Sequence, residues 1–438
     1  MVKWDSIAVK EGNKTLKNPW AGGLNNPQFS PVDLNGDGIK DLLVFDRSRA
    51  IPLPFVNGGD PGQVDYTYAP EFMQKFPASL HSWVLMADYD NDGRADIFTS
   101  YRGQSNGITV YRNITTTNGL EFALADTHLT AMDSTVQEFI YVSEWDFPGI
   151  ADVDGDGDLD ILTFDFAGSF MQYFRNMSVE NYGNSDSLEF VHEEKCWGNF
   201  EEDFAYCSVT LNMSCRQGHG LKGNRHAGST ILPIDLDGDN DKELIIGDII
   251  CTNVYMLTNG GDNLYANITA NLQAYPSAHI VDIPKFPATF FMDVDNDNVK
   301  DFLSAPNALE VSESFSGMWF YKNTGSNAVP VFEHRTDSFL VNDMIEVGEG
   351  ANPAFFDYNA DSQPDLVIGN FGYYQNTHPY VSGLALYKNT GSRDLPSFEL
   401  VDRDYLGLSA LQTEAIYPTF GDLDADGDED LIIGEVGG

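Results

Sequence analysis

Nine residues, Asp152-Val153-Asp154-Gly155-Asp156-Gly157-Asp158-Leu159-Asp160, carry carboxylates at positions 1, 3, 5 and 9, with the apolar run Ile161 to Phe164 directly behind them. Carboxylates so spaced can converge on one hard cation, position 7 adds a backbone carbonyl, and glycine at position 6 permits the sharp turn. An EF-hand would place a bidentate Glu at position 12. Here position 12 is Thr163, inside an apolar strand pattern, so the loop opens a β-strand. The loop occurs seven times, and of its 28 side-chain positions 26 are Asp or Glu. Turn chemistry accounts for one acidic nonapeptide but not for seven in one register.

The expected ligands, positions 1, 3, 5, 7 and 9 in turn, are Asp33, Asn35, Asp37, Ile39 and Asp41 in the first loop, then Asp88, Asp90, Asp92, Arg94 and Asp96. The third loop offers Asp152, Asp154, Asp156, Asp158 and Asp160, and the fourth Asp235, Asp237, Asp239, Asp241 and Glu243. Asp293, Asp295, Asp297, Val299 and Asp301 follow, then Asp357, Asn359, Asp361, Gln363 and Asp365, and last Asp422, Asp424, Asp426, Asp428 and Asp430. The pattern predicts six or seven structural Ca²⁺ ions. The sixth loop, with Asn359 at position 3 and Ser362 at position 6, is expected to be the weakest site.

The elements that position these loops repeat with them. Successive loops start 55, 64, 83, 58, 64 and 65 residues apart, a period of propellers or solenoids. Behind each of the first six lies an alternating strand ending in Asn: Asn57, Asn113, Asn176, Asn259, Asn323 and Asn389. A further strand follows in most repeats, as at Phe122, Phe190, Phe332 and Phe398, giving four strands per repeat. Seven such repeats predict an all-β chain, one domain over 1–438, forming a seven-bladed β-propeller with a calcium loop in the first hairpin of each blade. The seventh repeat ends soon after Asp430. Trp4 to Val9 is expected to close the ring on it, with the natural chain continuing past 438; without that continuation the last strand would leave a place where a foreign strand can add.

A formal charge of −43 argues against nucleic acid and anionic membranes as partners, and seven Ca²⁺ would bring it to about −29. No run of 18 apolar residues is present, so no membrane insertion is expected. Four cysteines, Cys196, Cys207, Cys215 and Cys251, three of them within twenty residues and without zinc spacing, suggest disulfides and a secreted or cell-surface location. The expected pairs are Cys196 with Cys215, closing an insertion at about 190–230, and Cys207 with Cys251.

The Asp-x-Asp-x-Asp-Gly-x-x-Asp loop, with Phe320-Tyr321-Lys322-Asn323-Thr324-Gly325 downstream, resembles the FG-GAP or VCBS repeats of integrin α-subunit propellers and many exported bacterial proteins. The resemblance spans essentially the whole chain and implies a propeller and calcium. Asn18-Pro19-Trp20-Ala21-Gly22-Gly23 and Arg225-His226-Ala227-Gly228 look like secreted proteins of the type IX secretion class.

Function is then sought outside the repeat pattern. Loop start to Asn is 24, 25, 24 and 24 residues in the first four repeats but 30 and 32 in the next two, marking insertions at 304–316 and 370–382. The rim opposite the calcium loops is expected to carry Trp20, Arg47, Arg49, His81, Trp83, Tyr101, Arg102, Trp145, Arg225, His226, Tyr373 and Tyr374 as ligand-binding residues. There is no His-Glu-x-x-His and no phosphate loop, and no catalytic residue is assigned. The expectation is a binding or adhesion module for a glycan or protein. A polysaccharide lyase using Arg102, His81, His219 and His226 is the alternative.

Overall fold

The computed structural model describes residues 7–103, 106–203, 206–214, 228–309, 311–376 and 380–436. The chain is all-β, built of small, mainly antiparallel sheets, and divides into two compact units. One comprises 26–310 and 319–336, with the first five repeats; the other comprises 1–25, 311–318 and 337–438, with the sixth and seventh. No helix among the described residues is long and apolar enough to cross a membrane.

In the larger unit the first repeat sets the pattern. Pro27–Val32 enters the acidic loop, Asp41–Asp46 leaves it, and Ile51–Asn57 and Tyr66–Tyr68 complete a four-stranded meander. Leu42, Leu43, Val44 and Phe45 are all fully buried, because the second strand is covered on both faces; this is why it reads as a continuous apolar run and not as an alternation. The second, fourth and fifth repeats form the same four-stranded sheets. The third gains two strands: the hairpin Thr130–Asp133 and Val136–Phe139 lies parallel against its outermost strand, Phe190–Glu194, and covers that edge. The sequence marks this hairpin only as a longer spacing, 39 residues from Asn113 to Asp152.

These five sheets meet in a cycle. The first and second join where Val84 N–H donates to Gln28 Oε1 (2.8 Å), and the second and third where Asn91 Nδ2 donates to Gly157 O (2.7 Å). Phe147 N–H and Ser229 O (2.9 Å) join third to fourth, Thr230 Oγ1 and Pro287 O (2.8 Å) fourth to fifth. Gln28 Nε2 then reaches Asn307 Oδ1 (3.2 Å), and Asn57 Nδ2 reaches Asn296 Oδ1 (3.0 Å), returning fifth to first. The single seven-membered ring expected from the repeat count is therefore corrected: the first five repeats close on themselves, propeller fashion. Repeat number fixes how many sheets exist, whereas packing of the inner strands fixes how many close a ring. Here Phe290 of the fifth repeat lies edge-on to Phe29 of the first (5.3 Å) and against Phe147 of the third (5.7 Å), so rings from non-neighbouring repeats fill the centre.

In the smaller unit the sixth repeat supplies Asn352–Phe356, Asp365–Gly369, Leu384–Asn389 and Phe398–Asp402. The N-terminal strand was expected on the seventh repeat. Instead Val9–Glu11 lies parallel against Phe398–Asp402 of the sixth, Val9 opposite Phe398, and Lys14–Thr15 extends the sheet to six strands. Trp4 itself lies outside the described residues. Val9 is buried with Leu366, Tyr387 and Phe398, and this apolar contact selects the sixth sheet. The seventh repeat is a two-stranded sheet, Tyr417–Gly421 with Asp430–Gly434.

Candidate metal centres and ligand surface

Each acidic loop is shaped by its own carboxylates. The position 1 side chain accepts backbone N–H groups from within the turn: Gly36 and Gly38 on Asp33 (2.7 and 3.0 Å), Ala425 and Gly427 on Asp422 (2.7 and 3.1 Å). Position 3 takes the N–H of position 5, as Asp156 on Asp154 (3.2 Å), and position 5 that of position 7, as Asp158 on Asp156 (3.0 Å). Position 6 is left-handed in every loop, with φ of 102° at Gly157, 75° at Asn240, 67° at Asn298 and 66° at Ser362.

Position 9 does something the spacing did not reveal. In the first six loops its carboxylate is buried, and one oxygen takes the N–H of position 2 of its own loop. The other takes the N–H of the Asn ending the third strand: Asn57 on Asp41 (2.8 Å), Asn113 on Asp96 (2.7 Å), Asn176 on Asp160 (2.8 Å), Asn323 on Asp301 (2.8 Å) and Asn389 on Asp365 (2.6 Å). The Asn side chain in turn accepts the N–H two residues on, Gly325 on Asn323 (2.9 Å) and Gly391 on Asn389 (3.0 Å). The two repeated signatures are thus halves of one hydrogen-bonded joint. Burial pushes these carboxyls up, Asp41 and Asp301 to about 6, Asp96 to about 7 and Asp160 to about 8, outweighing the N–H donors that favour the anion.

The groups that could hold a metal are brought together. Asp88, Asp90 and Asp96 converge, as do Asp152, Asp154 and Asp156, and Asp235, Asp237 and Asp239, each set offering oxygens within 4.8 Å of one another. Asp156 Oδ2, Asp158 Oδ1 and Asp293 Oδ1 are buried without a hydrogen-bond partner. Asp158 was assigned a carbonyl role; its carboxylate also turns inward, fully buried. The residue preceding the signature Asn was missed as well. Arg112 reaches Asp90 (2.5 Å), Arg175 reaches Asp154 (2.7 Å), and Lys322 reaches Asp295 and Asp297 (2.7 and 2.6 Å). Its signal is the Arg-Asn or Lys-Asn pair in four of the six signatures.

In the larger unit two of the residues assigned to a ligand rim lie inside the fold. Trp83 is fully buried, edge-on to Phe147 (6.3 Å), and is a core residue. Arg47 is buried too, donating to the carbonyls of Asn307 (2.7 Å) and Glu144 (2.8 Å) beneath the Trp145 ring, and burial lowers its guanidinium to about 10. Arg49 pairs with Asp46 (2.7 Å), and His81 turns Nδ1 to Ser79 O (3.0 Å). The Trp83 and Arg47 assignments fail for one reason: the approach to a crowded ring centre consumes aromatic and cationic side chains as packing. In the smaller unit Trp20 donates to Ile7 O (3.1 Å), Tyr373 stacks on Phe315 (5.5 Å), and Tyr374 N–H meets Ser314 Oγ at 3.5 Å. Arg225, His226 and His219 lie outside the described residues.

Tyr101 and Arg102 fare differently. Tyr101 stacks on His128, and His128 on Phe139, each at 3.9 Å and 7° between planes. Phe139 is 56% exposed, Phe166 beyond Tyr141 is 59% exposed, and Arg102 is exposed. One serine was passed over: Gly103-Gln104-Ser105-Asn106-Gly107 has nucleophile-elbow spacing but joins two antiparallel strands without the strand-to-helix turn an elbow requires, and 104–105 lie outside the described residues.

Cys207 is bonded to Cys251, Cα atoms 5.8 Å apart, as expected from the sequence. Cys196 is disulfide-bonded, and Cys215 lies outside the described residues.

Sheets and loops together define an all-β, propeller-like repeat protein. Residues 33–99, the first repeat and half of the second, match the FG-GAP-like repeat family. Comparison with curated proteins gives no match.

Proposed function

We propose that the chain is a calcium-stabilised propeller-type binding module, acting outside the cell, whose ligand is an acidic glycan. The observation that carries it is the sevenfold acidic loop with buried carboxylate oxygens such as Asp156 Oδ2 and Asp293 Oδ1 that lack any donor. An all-oxygen donor set of this kind suits a hard cation, with positions 1, 3, 5 and 7 as ligands and position 9 anchoring the loop while offering remaining lone pairs. Each ion would also relieve part of a formal −43. The Cys207–Cys251 disulfide supports an oxidising, extracellular setting, consistent with the resemblance to exported proteins.

The ligand reading rests on the Tyr101–His128–Phe139 column, which ends in an exposed ring with the exposed Arg102 on the residue after Tyr101. A flat apolar ring stacks on a sugar face, and guanidinium pairs with a uronate. A glycan array with Phe139→Ala and Arg102→Ala tests this. Uronate-containing glycans should be retained by the wild type and lost at least tenfold by either variant; retention undiminished in both would defeat it. The same panel, followed for the absorbance of unsaturated products, reads out the lyase alternative, which no specific observation favours.

A further inference from the structure

The hairpin laid over the third sheet brings metal-binding side chains together outside the acidic loops. Ala131 stands opposite Glu138 within the hairpin and opposite Phe190 of the outermost strand, and Met132 opposite Val191. Side chains alternate between the two faces of a sheet, so Asp133, Glu138 and His192 fall on one face. Each offers a ligand atom within 4.8 Å of the other two. They come from two separate stretches of chain, and none belongs to the acidic-loop pattern.

The histidine is the informative member. Its side chain is only 7% exposed, lying against the Phe174 ring at 4.4 Å, and its Nε2 is buried without a hydrogen-bond partner. Nδ1 meets Glu138 Oε1 at 2.5 Å. A carboxylate that is itself 39% exposed, and shared with water, returns little for burying an imidazole. On the other side of the cluster Lys195 Nζ donates to Asp133 Oδ2 at 2.5 Å, so the carboxylates already hold a cationic group here. The Lys195 side chain is 55% exposed and has solvent to swing into.

The donor chemistry selects the metal. One imidazole nitrogen with two carboxylates suits a borderline transition ion such as Zn²⁺, which accepts three protein ligands and keeps a fourth position for water. Ca²⁺ takes about six to eight oxygens and has no use for imidazole.

We propose that Asp133, Glu138 and His192 bind a divalent transition-metal ion, with Zn²⁺ the best fit, and that the ion clamps the hairpin of residues 130–139 onto the outermost strand of the third sheet. The ligands join both arms of the hairpin, through Asp133 and Glu138, to His192 of the sheet. The parallel pairing that holds the hairpin there runs over two residue pairs, Ala131 with Phe190 and Met132 with Val191, so a metal bridge adds substantially to its anchoring. Metal entry displaces the Lys195 ammonium. The proposal stands whether or not Phe139 carries a glycan and whether or not the acidic loops hold calcium.

The test is zinc titrated calorimetrically into the full chain in excess calcium, which competes for the all-oxygen loops. The wild type should bind zinc at a site that Asp133→Asn and His192→Ala each weaken at least tenfold. Lys195→Ala, by removing the competing ammonium, should strengthen the same site about threefold. Asp133 and Lys195 are partly exposed, so their variants keep the result readable if His192→Ala disturbs the sheet. Zinc should also slow amide exchange over 130–139 and 190–194, and only in chains that retain all three ligands. No zinc binding, an affinity unchanged across the variants, binding weakened by Lys195→Ala, or exchange slowed only elsewhere would each overturn the proposal and leave two ordinary ion pairs.

Discussion

The backbone N–H of Asn389 donates to Oδ1 of Asp365 at 2.6 Å, across 24 residues of chain. This bond ties the third strand of a sheet to the acidic loop joining its first two, and it recurs in four other repeats at 2.7 to 2.8 Å. A loop carrying several carboxylates would otherwise be free to splay, and the joint holds it whether or not a cation is bound.

Removing the acceptor should therefore cost stability even in chelator. Asp365→Ala leaves the N–H groups of Asn389 and Tyr358 without partners, a loss of about 2–4 kcal/mol at one to two per buried donor. Urea denaturation checks this. A loss seen only in calcium would show that the carboxylate serves the metal alone.

The pH dependence has a definite sign. Burial raises Asp41, Asp96, Asp160 and Asp301 from 3.8 to between about 6 and about 8, so the folded apo protein holds protons that the unfolded chain has released. That stabilisation is full below the unfolded value and is lost as pH rises through the folded ones. In chelator the melting temperature should fall from pH 5 to pH 8. With saturating calcium the trend should flatten or reverse, because protons then compete with metal. A chelator curve that rises with pH would contradict this.

Backbone strain at position 6 gives a cleaner substitution. Ser362 sits at φ 66° where most loops have glycine, so Ser362→Gly should stabilise by about 1 kcal/mol, and Gly157→Ala, at φ 102°, should destabilise by at least as much. Thermal melts of the two variants, compared in the same buffer, decide it.

Cys207 and Cys251 lie 44 residues apart in sequence. Closing a loop of that size is worth about 4 kcal/mol by the chain-entropy model, so Cys207→Ser with Cys251→Ser should lower the melting temperature by several degrees. Non-reducing peptide mapping of the wild type should recover the two cysteines in one linked peptide.

Much of this was legible in the residues. The loop positions and the left-handed turn at position 6 follow from spacing and residue type, because each is fixed by local geometry, whereas Cys207–Cys251 belongs to one of the three pairings that four cysteines allow. The closing of five repeats was not legible, since it depends on how Phe29, Phe147 and Phe290 share a centre, a contact among three repeats that no period records. Arg47 and Trp83 were misread for the same reason: a cation or an aromatic on a loop looks identical in sequence whether it faces solvent or a neighbouring sheet. The placement of Val9–Glu11 was equally hidden, because an alternating strand fits any outer edge and only its buried contact with Phe398 and Tyr387 chooses one.

If the acidic loops carry calcium, crystals grown in calcium should show it by site-resolved anomalous scattering. Six or seven peaks are predicted, one within each loop among positions 1, 3 and 5, with the loop beginning at Asp357 the weakest. Crystals that diffract well, contain millimolar calcium and show no anomalous peak in any loop would mean that the loops do not bind calcium.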